Sequence, residues 1–171
     1  MKLVLFGLSL AICAVGYRLL PHPSNVTPLA ALSLLAISQF SQARAGWALF
    51  LPIAALLISD VFLGFYSGME FVYAGHVLAA LCGLGLRQWS LPRFASVVMS
   101  SALVFFLVSN FGVWAMTPLY TKSFAGLVEC YIAALPFLKL SLAGDLLFAS
   151  VFFGAYRACG FSMRSSVPSI A

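Results

Sequence analysis

Charge is scarce in this sequence. Of 171 residues, nine are Lys or Arg and four are Asp or Glu, 8% in all. Soluble domains carry about 25% charged residues, so this chain cannot cover itself with a water-facing surface. The cations are scattered and form no basic run. That argues against a nucleic-acid surface, and the net charge of +5 is read as membrane topology instead. The four cysteines (Cys13, Cys82, Cys130 and Cys159) lie far apart, with no CxxC and no Cys/His spacing. No metal site, no cofactor and no disulfide framework is expected; the thiols are read as small packing residues. Also missing are G-x-S-x-G, HExxH and the phosphate loop GxxxxGK(S/T), so no hydrolase, zinc protease or ATPase motif is present. No long polar linker divides the chain, and a single domain over residues 1–171 is expected.

What is there is apolar: 63% hydrophobic residues, sixteen of them Phe, with a mean hydropathy of +1.08. The excess must face lipid. Six apolar stretches stand out, at about residues 3–20, 28–40, 47–65, 71–86, 94–118 and 136–156. The expected fold is an all-α integral membrane protein, a six-span helical bundle. The second and fourth stretches fall short of the roughly 20 residues that cross a bilayer, so they thin it locally or pack inside the bundle. The first stretch follows Lys2 in the manner of a signal peptide, but no small-x-small cleavage site follows, and Arg18 with a Pro-rich segment closes it. It is read as a permanent span. With six spans, Lys2, Arg44, Arg87, Arg93, Arg157 and Arg164 share one side. Arg18, Lys122 and Lys139, with Glu70 and Glu129, share the other. The richer cation side is the cytoplasmic one, and both termini are expected there.

Polar groups inside spans are costly and usually functional. Asp60, His76, Asn110 and Trp114 fall in the outer parts of the third, fourth and fifth stretches, Asp145 near the middle of the sixth, and Arg18 at the outer end of the first. Each has a plainer reading. Either aspartate can pair with an arginine to fix packing, His76 can be a packing histidine, Asn110 an interhelical hydrogen bond and Trp114 an interfacial anchor. Gathered at one end of the bundle, however, they are better explained together by a water-accessible pocket that opens outward. Two irregular segments are expected to roof it. One is the Pro-rich run from Arg18 to Pro28, with Asn25 and Thr27 as polar donors and acceptors, Thr27 as an N-cap and Pro28 in the first turn of the second span. The other is Leu119–Leu135, expected as a short amphipathic helix or lid carrying Tyr120 and Glu129, with Pro136 opening the last span. Glu129 either pairs with Lys122 or Lys139 or faces the pocket. Gly7 and Ala11 form a small-xxx-small pair, read either as bundle packing or as a docking face for another membrane protein.

The long first loop leading into Asn25-Val26-Thr27-Pro28-Leu29 carries a resemblance. So do the third-span run from Pro52 through Ser59-Asp60 to Gly64, and Gly144-Asp145-Leu146-Leu147 in the sixth. The chain resembles the substrate-binding S component of energy-coupling factor transporters. Ser109-Asn110-Phe111-Gly112-Val113-Trp114 also resembles a group of uncharacterised bacterial membrane proteins related to them. The likeness is one of architecture across nearly the whole chain. It implies a small protein of the bacterial cytoplasmic membrane that binds a vitamin or related micronutrient. It also implies partners, namely a coupling membrane subunit and ATPases. Gly7-x-x-x-Ala11 stands where many S components dock that partner through Ala-x-x-x-Ala.

The leading expectation is therefore small-molecule binding and uptake, not catalysis. The ligand would lie among Arg18, Asn25, Asp60, His76, Asn110, Trp114, Tyr120, Glu129 and Asp145, with Trp114 and Tyr120 stacking on a ring. The alternatives are a structural or assembly subunit, whose polar groups only fix packing, and a membrane-embedded enzyme using His76 with Asp60 or Asp145.

Overall fold

The computed structural model describes residues 2–39, 45–87 and 89–163. Among these residues every regular element is helical. The helices are α1 (Lys2–Leu19), α2 (Leu29–Gln39), α3 (Ala45–Leu63), α4 (Met69–Leu81), α5 (Leu91–Met116) and α6 (Phe124–Ala158). A 3-10 segment, Cys82–Arg87, prolongs α4. Among the described residues, four helices are long and apolar enough to cross a membrane: α1, α4 with its extension, α5 and α6. The second expected stretch ends at Phe40, and Arg44 and Arg164 were counted with the cations of one side; all three lie outside the described residues.

Local signals place the helix starts. Ser90 caps α5, its hydroxyl accepting the Arg93 amide, and Pro92 sits in the first turn, where its missing N–H costs nothing. Ser123 caps α6 by accepting the Gly126 amide at 3.2 Å. The first hydrogen bond of α2 runs from Leu32 N–H to the Pro28 carbonyl, 2.9 Å, so Pro28 itself, not Thr27, stands at the N-cap and the helix begins one residue later than expected.

The surface differs from that of a soluble protein. Ile12, Phe62, Leu91 and Phe124 are exposed, whereas Ser33, Ser59, Asp60, Ser101 and Asp145 are buried among the apolar core residues. An apolar exterior with its polar groups turned inward suits lipid, because no water is available there to satisfy them. These features mark a membrane protein. α2 lies at the centre: only 11 residues long, it buries all of them except Ala30. A helix apolar on every side belongs in a core, and at about 16 Å it is too short to cross the hydrocarbon.

One end of the bundle is filled by aromatics. Trp89 stacks on Phe153 at 5.6 Å, Phe94 meets Phe153 edge-on at 5.5 Å, and Tyr156 stacks on Phe161 at 4.9 Å. Leu86, Val98 and Ala149 pack into the same cluster. Gly83 sets how closely the prolonged α4 approaches α2: a Cβ there would lie 2.9 Å from the Leu34 carbonyl oxygen.

The expected lid over Leu119–Leu135 is corrected by the structure. Pro136 does not open a helix; α6 runs through it without a break for 35 residues. That is about 52 Å, well beyond the ~30 Å of hydrocarbon. The physical reason is that Ser123 caps the helix start and half of residues 124–135, among them Ala133, Ala134 and Leu135 just before the proline, are strong helix formers. A proline then removes one backbone bond, a loss that packed membrane helices tolerate.

The close approach at Gly83 is testable. Gly83→Ala is expected to lower the melting midpoint in detergent, by an overpacking cost of roughly 1–3 kcal/mol. Gly154→Ala, whose Cβ would meet nothing within 4 Å, is expected to leave the midpoint unchanged or raise it.

Candidate functional site

At the end opposite the aromatic cluster the helices splay around a cavity of about 680 Å³. Its rim is made by the three connections at that end, residues 20–28, 64–68 and 117–123. Its walls come from α1, α2, α4, α5 and α6 as well as the lower part of α3. Ala30, the one residue of α2 that is not buried, faces into it.

The α1–α3 wall holds an ion pair. Arg18 Nη2 lies 2.9 Å from Asp60 Oδ1, and Asp60 is 1% exposed. The guanidinium also donates to the Leu56 carbonyl at 3.3 Å and to the Ser59 hydroxyl. From α4, the Tyr73 hydroxyl donates to Asp60 Oδ2 at 2.9 Å. Three helices thus converge on one carboxylate. Arg18 lines the cavity, while Asp60 sits behind it and does not. Tyr66, in the α3–α4 connection, also lines the cavity. Burial pushes its phenol above the ordinary value, and the nearby Asp60 carboxylate adds to that against Arg18. The group therefore stays a neutral donor across physiological pH.

α6 supplies the other carboxylate. Asp145 is 7% exposed and lines the cavity. One turn earlier, the Ser141 hydroxyl donates to the Asn25 carbonyl at 3.5 Å. Asn25 takes the left-handed conformation (φ 62°), which asparagine tolerates better than most residues. At Gly144 a Cβ would lie 2.9 Å from Val26 Cγ1, so the missing side chain is what lets the first loop lie down on α6. On the same loop His22 stacks against Tyr17 at 5.3 Å.

His76 of α4 lines the cavity with its ring 4.6 Å from that of Phe105. It makes no hydrogen bond to a carboxylate among the described residues. Asn110 of α5 donates its amide to the Phe106 carbonyl of its own helix at 2.8 Å.

Arg18, Asn25, His76, Asn110 and Asp145 therefore share one cavity, and Asp60 stands one contact behind it. Trp114, Tyr120 and Glu129 do not line it. The Trp114 indole N–H donates instead to the Thr121 carbonyl at 2.9 Å, with Lys122 Nζ 5.7 Å from its ring centroid. Lys122 donates to the Trp114 and Thr117 carbonyls at the end of α5, where a cation offsets the helix dipole. That leaves it no ion pair with Glu129, which is exposed on α6. The expected stacking on Trp114 and Tyr120 does not fit this placement, because the loop captures the indole.

At the Gly7/Ala11 pair, a Cβ at Gly7 would lie 3.2 Å from Leu51 Cδ2 of α3, and Ala11 is buried. Of the two readings, Gly7 shows the one of packing within the chain. Sequence reasoning passed over His22, Tyr66, Ser67, Ser109 and Ser141, all in the lining. Ser109 beside Asn110, and Ser141 one turn from Asp145, were the available signals.

Fold and cavity together define an all-helical membrane protein with a polar chamber at one end of its bundle. The chain belongs to the family of unknown function DUF6580, whose profile matches residues 1–168. No curated protein and no solved structure matches it.

The ion pair makes a prediction. Asp60→Ala or Arg18→Ala strands its partner, and breaking a buried pair costs about 3–5 kcal/mol. Both single variants are expected to melt well below wild type in detergent. The double variant Arg18→Met with Asp60→Leu is expected to recover most of that loss, and a double-mutant cycle reads the coupling.

Proposed function

We propose that this protein binds a small organic molecule in the cavity beneath its first loop and serves that molecule's uptake. The observation that carries the reading is the cavity itself. Its volume of about 680 Å³ lies within the ~300–1,000 Å³ of small-molecule sites. It is lined by a minority of polar groups from separate helices, set in apolar walls, which is how such sites combine burial with orientation. Helices that merely used polar residues to fix packing would have saturated them and closed the space. Here Arg18, Asn25, His76, Asn110 and Asp145 surround a chamber large enough for a ligand.

In this reading the chain crosses the bacterial cytoplasmic membrane six times, the short α2 completing its crossing together with the Pro-rich loop that precedes it. Both termini are cytoplasmic, and the cavity opens to the outside. The surplus of Lys and Arg in the connections of the opposite end supports that orientation. The architecture resembles the S components of energy-coupling factor transporters, so the ligand class is a vitamin or related micronutrient. The chain has no phosphate loop, and energised uptake would need a separate coupling subunit and ATPases. With Gly7 set against Leu51 of α3, such a partner would meet another part of the exposed apolar surface.

Native mass spectrometry of gently purified protein is expected to find a co-purified small molecule. Ala30→Trp puts an indole at a position that lines the cavity, and is expected to abolish that mass while the protein remains folded. A bound molecule retained at full occupancy in Ala30→Trp would remove the cavity as its site. Reporters fused to each terminus are expected to read cytoplasmic.

A further inference from the structure

Among the charged side chains around the cavity, Asp145 is the one left unmatched. Arg18 is held by Asp60 and Lys122 by two helix-end carbonyls. Glu70 and Glu129 are exposed and lie outside the lining. Asp145 is 93% buried by the complement of its 7% exposure, and what remains exposed faces the chamber. Among the described residues it makes neither a hydrogen bond nor an ion pair. A buried carboxylate without a partner is costly, and within a membrane span such a group normally has one. The imidazole of His76, also without a hydrogen bond among the described residues, lines the same chamber, backed by the Phe105 ring.

We infer that the ligand of this cavity is an organic cation, a molecule with a protonated amine or amidinium nitrogen that seats against Asp145. This deepens the binding reading above and rests on it. The charges disfavour an anion and a bare metal ion. An anion would find the guanidinium of Arg18 already occupied by Asp60 and would face Asp145 unshielded. A bare metal ion would need several more ligands than one carboxylate, and no group of three metal-ligating side chains forms among the described residues. An ammonium group bonds Asp145 with a charge-assisted hydrogen bond. Its attached ring or chain meets the apolar walls, with the Phe105 and Tyr66 rings available to a cation.

The test uses the full chain in detergent and three probes of one size: tryptamine (cation), tryptophol (neutral) and indole-3-propionate (anion). Tryptamine is expected to raise the wild-type melting midpoint in a concentration-dependent way, since a ligand that binds only the folded state stabilises it. The other two are expected to raise it less. Asp145→Asn is expected to lose the tryptamine shift, and Asp145→Glu, which keeps the charge, to retain it. Without probe, Asp145→Asn is expected to melt at the wild-type midpoint or up to roughly 2–4 °C above it, because it removes an unpaired charge. A fall in that midpoint, or failure to fold, means Asp145 has an internal partner and overturns the inference. So does a shift from tryptophol or indole-3-propionate that equals that of tryptamine. A co-purified neutral or anionic molecule would overturn the cation while sustaining the binding site. No shift from any probe, together with no co-purified molecule, would overturn both.

Discussion

The Arg18–Asp60 pair holds the polar end of the molecule together. An arginine at the end of one membrane helix and an aspartate inside another are each expensive in lipid. Paired at 2.9 Å, with Tyr73, Ser59 and the Leu56 carbonyl taking up the remaining hydrogen-bonding groups, they become mutually necessary. Replacement of such a pair by apolar residues is often neutral, whereas loss of one member is not. Its value lies less in net stability than in position. It ties α1 to α3 and α4, and it presents one edge of a guanidinium to the cavity while the carboxylate stays behind.

The cavity exists because α2 is short. A full-length span in the middle of the bundle would fill the space beneath the rim. α2 instead begins at Leu29, below a loop whose prolines prevent helix, and all its length is given to the core. The loop above is held down by polar and steric contacts with α6, at Ser141 and Gly144. Among the described residues the other end is packed with the interlocking rings of Trp89, Phe94 and Phe153. One molecule thus holds a polar cavity toward one end and packed aromatic rings toward the other.

Much of this was legible in the residue order. Ionisable groups stand out against apolar runs, so Arg18, Asp60, His76 and Asp145 were readable as one polar end before any helix was placed. Pro28 marked the start of α2 to within one residue, through backbone chemistry that acts over a single turn. The readings that failed depended on relations between distant parts. Trp114 sits one turn from Asn110, yet the carbonyl of Thr121, in the following connection, draws its indole away from the chamber. Pro136 was read as a boundary, but helix-forming neighbours on both sides carried α6 through it. The Ser109 and Ser141 hydroxyls escaped notice because serine bonds easily to its own helix and carries little signal in an apolar run.

By itself the sequence determined that this chain is helical, that its surface suits lipid, and that its polar groups gather toward one end. Those properties follow from composition and from periods of a few residues. Only the tertiary structure decided which carboxylate is neutralised. Asp60 and Asp145 look alike in sequence, each a lone acid in a greasy stretch. The helix that lies alongside makes the difference: α1 brings an arginine to Asp60, and nothing comparable reaches Asp145 among the described residues. Hydrophobic burial is non-directional and cannot encode that choice; it depends on which helices become neighbours.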